Sequence, residues 1–189
     1  MTSNLSQFIK FLKEEISENQ ISSANTIDVI DPRDRLENKS EICVKPKNTQ
    51  EISKILKLAN KFTIPIIPIG GSTGLVGGQI ASQSNHVTLS LEKLDTINFY
   101  KESNLLYVQS GAILSNIKKL AFNNGRLFPL SLSSEGSCQI GGNLATNAGG
   151  LNVIKYGNVR DLCLGLEAVL PCGQIVSTMK PLKKNNMGF

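Results

Sequence analysis

The sequence has no tryptophan, a single histidine and only 5% aromatic residues among its 189 positions. So few aromatics offer no stacking platform for nucleic-acid bases. The four cysteines, Cys43, Cys138, Cys163 and Cys172, form no Cys-x-x-Cys pair. With His86 as the one histidine they do not compose a Cys/His zinc site, and they read as free thiols of a reducing compartment. No segment approaches the apolar length that spans a bilayer. Lys10, Lys13, Glu14 and Glu15 interrupt the first sixteen residues, which lack the apolar core of a signal peptide. The expectation is a cytoplasmic protein. The net charge of +5 is spread over scattered lysines, apart from Lys118–Lys119 and Lys180, Lys183 and Lys184. Such a surface favours an anionic ligand without identifying one, and no nucleic-acid partner is expected. Two familiar phosphate motifs are missing as well. No Lys follows Gly74, Gly77 or Gly78 as a P-loop requires, and no Gly-x-Gly-x-x-Gly opens a helix after a strand.

What the chain does have is glycine in two stretches. Five of its 16 glycines fall within Gly70–Gly78. Six more, at 136, 141, 142, 149, 150 and 157, punctuate the second stretch. Glycine admits φ > 0 and close approach of the backbone to a ligand, and consecutive exposed amides converge on an anion. Two such cradles suit a bulky phosphate-bearing cofactor; the alternative is a pair of packed turns with no ligand. A hydrophobic content of 40% with 19% charged residues is ordinary for a globular protein. The length allows one well-buried domain, or a domain and a piece of another.

Apolar residues at 5, 8, 9, 12 and 16 recur at helical spacing and predict an amphipathic N-terminal helix. Residues 17–40, polar and holding Asp31-Pro32, read as an irregular connection. Ile42–Val44 reads as a strand. A helix follows, capped by Asn48 or Thr49, with Glu51 near its positive end and Ile52, Ile55, Leu56, Ala59 and Phe62 as its apolar face. Residues 64–69 read as a β run whose prolines place it at an edge or irregularity. Further strands are expected at 87–91 and 105–109. Leu114, Ile117, Leu120 and Ala121 mark a helix ended by Gly125. Residues 166–170 and 174–177 form a hairpin around Pro171-Cys172-Gly173. The pattern is mixed α+β without regular βαβ repetition.

A strand ending at Ile69 delivers the chain into a tight loop whose amides, with the Ser72 and Thr73 hydroxyls, can hold a pyrophosphate. Each charge-assisted bond contributes roughly 1.5–3 kcal/mol. The short polar side chains of Ser137, Asn143, Thr146 and Asn147 suit a ribose or the polar edge of a planar ring. The run Ile64–Gly78 resembles the pyrophosphate loop of FAD-linked oxidases with the vanillyl-alcohol-oxidase, PCMH-type flavin domain. Phe128–Leu130, Gly136–Gly150 and Tyr156–Gly157 resemble that family's second flavin segment, and Leu164–Leu170 and Leu182–Phe189 continue the likeness. The wording Gly-Ser-Cys and Thr-Asn-Ala-Gly-Gly is closest to the D-2-hydroxyglutarate, D-lactate and glycolate dehydrogenase branch. The resemblance covers roughly residues 41–189.

The resemblance implies a PCMH-type FAD-binding domain of two small α+β subdomains, incomplete at its C-terminal end, over 36–189. A helix and connection would precede it over 1–35, and the C-terminal substrate domain would be absent. It implies that Gly70, Gly71, Ser72, Thr73, Gly74 and Leu75 hold the FAD diphosphate, with Gly78 shaping the loop exit. Ser137, Gly141, Gly142, Asn143, Thr146 and Asn147 would line the flavin and ribityl chain, with Gly149 and Gly150 in a close-packed turn. Some relatives bond a histidine near the first loop to the flavin. His86 lies outside the motif and reads as an exposed loop residue, so non-covalent FAD is expected. Ile69, Ser131, Cys172 and the stretch Lys184–Phe189 depart from the family pattern, and no catalytic residue is identified. The implied activity is oxidation of a D-2-hydroxy acid to a 2-oxo acid by hydride transfer to flavin N5. A small 2-hydroxy-acid substrate is expected only if another chain supplies a C-terminal half. The alternative is a non-catalytic FAD-binding remnant or module.

Overall fold

The computed structural model describes residues 3–23 and 29–179. Lys180 and the Leu182–Phe189 motif lie outside the described residues.

Helix α1 spans Ser3–Glu15. Its apolar positions recur at helical spacing, and Leu5, Phe8, Leu12 and the following Ile16 are each at most 6% exposed. Helix α2, Thr49–Phe62, starts where the Asn48 side chain accepts the Glu51 amide. Thr63 ends it in the left-handed conformation, at φ 54°. The two helices meet through a Phe11–Phe62 stack at 5.6 Å.

Beneath them lies a four-stranded sheet in the order β1 (Ile21–Ser23), β2 (Ile42–Val44), β4 (Val87–Ser90), β3 (Ile66–Ile69). The β1–β2 pair is antiparallel; β2–β4 and β4–β3 are parallel. Strand β3 stands at the edge, where Pro68 costs no central ladder bond. Alternation along β4 sends Val87 and Leu89 into the core with Phe8, Leu12, Val44, Ile55, Ala59 and Ile64. Cys43 is fully buried in the same sheet. Burial pushes its thiol up to about 11, against the pull of Lys45, so it stays protonated and inert at neutral pH.

A second, smaller core gathers Ala112, Leu114, Ile117, Leu130, Cys138, Ile140 and Val159. It is built from the hairpin β5 (Ile97–Tyr100) and β6 (Leu105–Val108), from α3 (Leu114–Asn123), from the short helix α4 (Ile140–Ala145) and from the 3-10 turn Val159–Leu162; the short helix α5 (Val153–Tyr156) buries no residue. Gly125, at φ 68°, turns the chain after α3. The last hairpin, β7 (Glu167–Val169) and β8 (Ile175–Ser177), returns to the first core. Ser53 on α2 donates to the Gly173 carbonyl at 2.5 Å, and Thr49 donates to Glu167 at 2.7 Å.

The α+β class, the edge position of β3 and the final hairpin agree with the sequence. Strands β1 and β5 and helices α4 and α5 were not expected. In β5, Asn98 interrupts a short apolar run, and α4 carries two adjacent glycines that argue against helix. His86 is a correction. It does lie in a loop, yet it is half-buried and its Nδ1 is buried without a partner.

Phe8 is fully buried against both helices' core. Phe8→Ala is expected to lower the unfolding free energy by about 3–5 kcal/mol. Chemical denaturation followed by far-UV circular dichroism measures this.

Candidate functional site

The two glycine stretches touch, although Gly78 at the end of the first and Gly136 at the start of the second are 58 positions apart in the chain. A Cβ built on Gly71 would lie 1.9 Å from the Ser137 carbonyl oxygen and 3.2 Å from the Cys138 Cα. One on Gly70 would meet the Gln139 side chain at 3.4 Å. The contact is backbone on backbone, and only glycine permits it at residue 71.

The second stretch is held in place by the chain entering α3. The Gly141 amide donates to the Ser110 carbonyl at 2.8 Å, and the Ile140 amide to Ala112 at 3.0 Å. The Leu114 amide returns a bond to Cys138 at 3.1 Å. A Cβ on Gly141 would lie 2.7 Å from the Ser110 Cβ. Farther along, Gly150 presses on Ser131, where an added Cβ would be 2.0 Å from the carbonyl oxygen. Asn147, left-handed at φ 49°, accepts the Arg160 amide at 3.2 Å. The segment thus wraps the Phe128–Ser131 stretch, as the Asn152 bond to the Pro129 carbonyl at 2.9 Å also shows.

The first stretch leaves strand β3 and turns at Ser72, a non-glycine residue at φ 52°. A left-handed residue between ordinary ones curls successive amides toward one side, forming an anion-binding concavity. None of the amides of residues 71–76 donates a hydrogen bond within the described residues. Three buried polar atoms at the meeting of the stretches have no partner there either: Ser72 Oγ, Gln139 Oε1 and Asn143 Oδ1. Asn143 is only 6% exposed. Leaving such atoms unpaired costs about 1–3 kcal/mol each, and on these two stretches it leaves polar atoms available to a ligand. No charged residue occurs within 64–86 or 136–154. The two stretches therefore contribute neutral donors and acceptors of their own, while the Arg35 and Arg160 guanidinium groups bond from outside to the carbonyls of Leu75 and Ala145.

Other expected residues are less free. The Thr146 hydroxyl donates back to the Gly142 carbonyl at 2.9 Å, and that of Ser137 to Ser134 at 3.3 Å. Thr73 and Gly74 are half-buried in the loop; Leu75 and Gly78 are exposed. Gly142 and Gly149 lie exposed on α4 and in the turn beyond it. A Cβ on Gly142 would meet no protein atom within 4 Å, so the space beside it is open. A Cβ on Gly149 would approach the Asn158 side chain to 2.9 Å. Two residues escaped sequence reading. Gln139, a polar residue between buried Cys138 and Ile140, reaches the first loop. Gln79 donates to the Gly74 carbonyl at 2.9 Å from behind. The available signal was a lone glutamine in each motif region, Gln79 directly after Gly78 and Gln139 within Gly136–Gly150.

Behind the first loop runs the 30–36 segment. Asp31 is 7% exposed and accepts the amides of Arg33 at 3.2 Å and Arg35 at 3.0 Å. Burial pushes its carboxyl up, but those amides and the Arg35 guanidinium pull harder, for a net lowering. A carboxylate lowered in the folded state contributes stability that is fully present above its ordinary value. That contribution is lost as pH falls through the lowered value. Among the described residues, no cluster of three or more His, Cys, Asp or Glu gathers as a metal site, and no helix is long and apolar enough to cross a membrane.

Residues 40–179 match the sequence model of a family described as FAD binding domain. A mitochondrial Schizosaccharomyces pombe protein named as a D-lactate dehydrogenase is 40% identical over 161 residues, 85% of this chain and 30% of that protein. The mitochondrial D-2-hydroxyglutarate dehydrogenase of Arabidopsis thaliana is 35% identical over 192 residues, 97% of this chain and 34% of that protein. The chain thus spans about a third of the length of the curated relatives it matches. Among solved structures, an alkyldihydroxyacetonephosphate synthase superimposes with a TM-score of 0.81 at 21% identity, covering 91% of this chain and 38% of that one. At that identity the likeness shows the fold alone. The expected cytoplasmic location does not stand, because both of these sequence relatives are mitochondrial. Free thiols mark a reducing compartment, and the cytoplasm is only one of those.

Two predictions follow from this geometry. Gly71→Ala is expected to force the stretches apart and lower the melting temperature by several degrees, whereas Gly136→Ala, whose Cβ meets nothing within 4 Å, leaves it within about a degree. Paired thermal melts check this. Asp31→Asn is expected to remove part of the stability lost between pH 5 and pH 2, seen as a shallower decline of denaturation midpoint with acid than in the wild type.

Proposed function

Because the chain belongs to the FAD binding domain family, we propose that it is the cofactor-gripping part of an oxidoreductase acting on D-2-hydroxy acids. The observation that carries the reading is the seam, where two stretches in backbone contact leave Ser72 Oγ, Gln139 Oε1 and Asn143 Oδ1 buried and unpartnered. The residues present fit FAD. The free amides of 71–76, with Ser72 and Thr73, would hold the diphosphate, Gly70, Gly71 and Gly74 would let the loop come close, and Gly78 would shape the loop exit. Gln139 and Asn143 would meet the polar edge of the flavin. Ser137, Gly141, Gly142, Thr146 and Asn147 would line its side, and Gly149 and Gly150 would close the turn beyond. When bound, FAD supplies the acceptor for a hydride from substrate C2.

The binding is non-covalent on this reading. His86 precedes β4 at the end of the sheet opposite the Ile69–Gly70 junction, about 13 Å along the strand at ~3.3 Å per residue. The described seam holds no histidine and no charged side chain, so removing the hydroxyl proton and binding a substrate carboxylate fall to residues elsewhere. Turnover on this reading needs the part of the relatives that this chain does not span. The N-terminal 1–35 segment, which donates α1 to the first core, is proposed to brace the 36–189 domain rather than contact the cofactor.

The purified chain is expected to bind FAD and to release it all on denaturation, leaving polypeptide without flavin absorbance after gel filtration in guanidinium. Absence of flavin bands after reconstitution with FAD would sink the cofactor reading. Flavin that stays with the unfolded chain would sink only its non-covalent form. Bleaching by D-2-hydroxy acids is expected only when a chain carrying the remaining part is added.

A further inference from the structure

The loop 70–77 is held from behind at three points, Gly74, Leu75 and Gly77, by the segment 30–36 and by Gln79. Gln79, 9% exposed, donates its side-chain amide to the carbonyls of Gly74 at 2.9 Å and Ile30 at 3.2 Å. The Arg35 guanidinium donates to the Leu75 carbonyl at 3.3 Å. Leu36 lies against Gly77, where φ is +75° and a Cβ would come within 2.4 Å of its Cδ1. In a planar trans peptide the C=O of one residue and the N–H of the next point in opposite directions. Pinning the carbonyls of Gly74 and Leu75 to the rear therefore turns the N–H groups of Leu75 and Val76 to the front. Neither N–H donates to any group among the described residues.

We propose that Gln79 and Arg35 are positioning residues that orient the Leu75 and Val76 amides toward the bound diphosphate, without necessarily touching it. The inference rests on the FAD reading and deepens it, since neither side chain belongs to the glycine motif. It differs from a merely structural role in its specificity. A brace affects every ligand through stability, whereas an orienting contact affects ligands that carry a diphosphate. It differs from simple attraction of an anion by Arg35 in needing the direction of the guanidinium bond, not only its charge.

The test is calorimetric titration of the whole chain with FAD and with ADP, which shares the diphosphate and lacks the flavin. Wild type, Arg35→Ala, Arg35→Lys and Gln79→Leu are compared, each with a melt in the absence of nucleotide. Both Arg35 variants are expected to bind FAD and ADP about threefold to tenfold more weakly while melting within a few degrees of the wild type, and Gln79→Leu about tenfold more weakly. Full affinity in Arg35→Lys, or in a folded Gln79→Leu, overturns the proposal while leaving FAD binding intact. A wild-type chain that binds neither nucleotide overturns the cofactor reading and the proposal with it. Should Gln79→Leu fail to fold, the exposed Arg35 pair decides alone.

Discussion

The contact between Gly71 and the Ser137 carbonyl is the constraint on which the rest of the site depends. Backbones this close leave no volume for a side chain, so the distance between the two stretches is set by main-chain atoms alone. That fixes the seam more tightly than side chains would, because main-chain atoms have no rotamers to choose among. The same device recurs outward from the seam. Gly111 packs on the Leu91 carbonyl, Gly141 on Ser110 and Gly150 on Ser131, each too close to accept a Cβ. Glycine here brings sequence-distant segments together; only a few of these residues need its conformational freedom.

The electrostatic character of the seam follows from the same choice. A site built from backbone offers N–H and C=O dipoles and short neutral side chains, not ions. Such dipoles, held rigidly, stabilise a charged ligand without the desolvation that a buried lysine or carboxylate would impose. The unpaired Ser72, Gln139 and Asn143 atoms are the counterpart of that arrangement. On the proposed reading they cost stability in the free chain and regain it when a partner is present, which would link stability to cofactor affinity through these atoms. Ser72 adds to the cost, since a left-handed non-glycine residue is strained by roughly 1–2 kcal/mol.

Much of this was legible before any coordinates. The helical spacing of Leu5, Phe8, Leu12 and Ile16, the Asn48 cap and the prolines of β3 report local physics, and local physics is what a sequence displays. The glycine clusters marked both stretches for the same reason. The meeting of the two, however, is a property of three segments at once. Nothing in the residues 70–71 alone says that Ser137 lies against them. Helix α4 was hidden because its Gly141-Gly142 pair opposes helix; the bonds from 140 and 141 to the chain before α3 override that preference. Gln79 and Arg35 were hidden because their effect passes through carbonyls that any residue type would supply. The charge pattern was visible as well, but it was read as a scattered surface, and the stretches empty of charge were more informative than the lysines.

The seam also explains how gripping and reacting can be separated along one polypeptide. Gripping a dinucleotide through main-chain dipoles needs glycine, small polar residues and rigid neighbours, all within the region from β3 to α5. Moving a proton from a hydroxyl and fixing a carboxylate need a titratable base and fixed positive charge. Residues 64–85 and 136–154 supply no Lys, Arg, His, Asp or Glu for these tasks. On the proposed reading, the charged groups that act on substrate are carried on a different segment. Both glycine stretches lie within the third of its relatives' length that this chain spans.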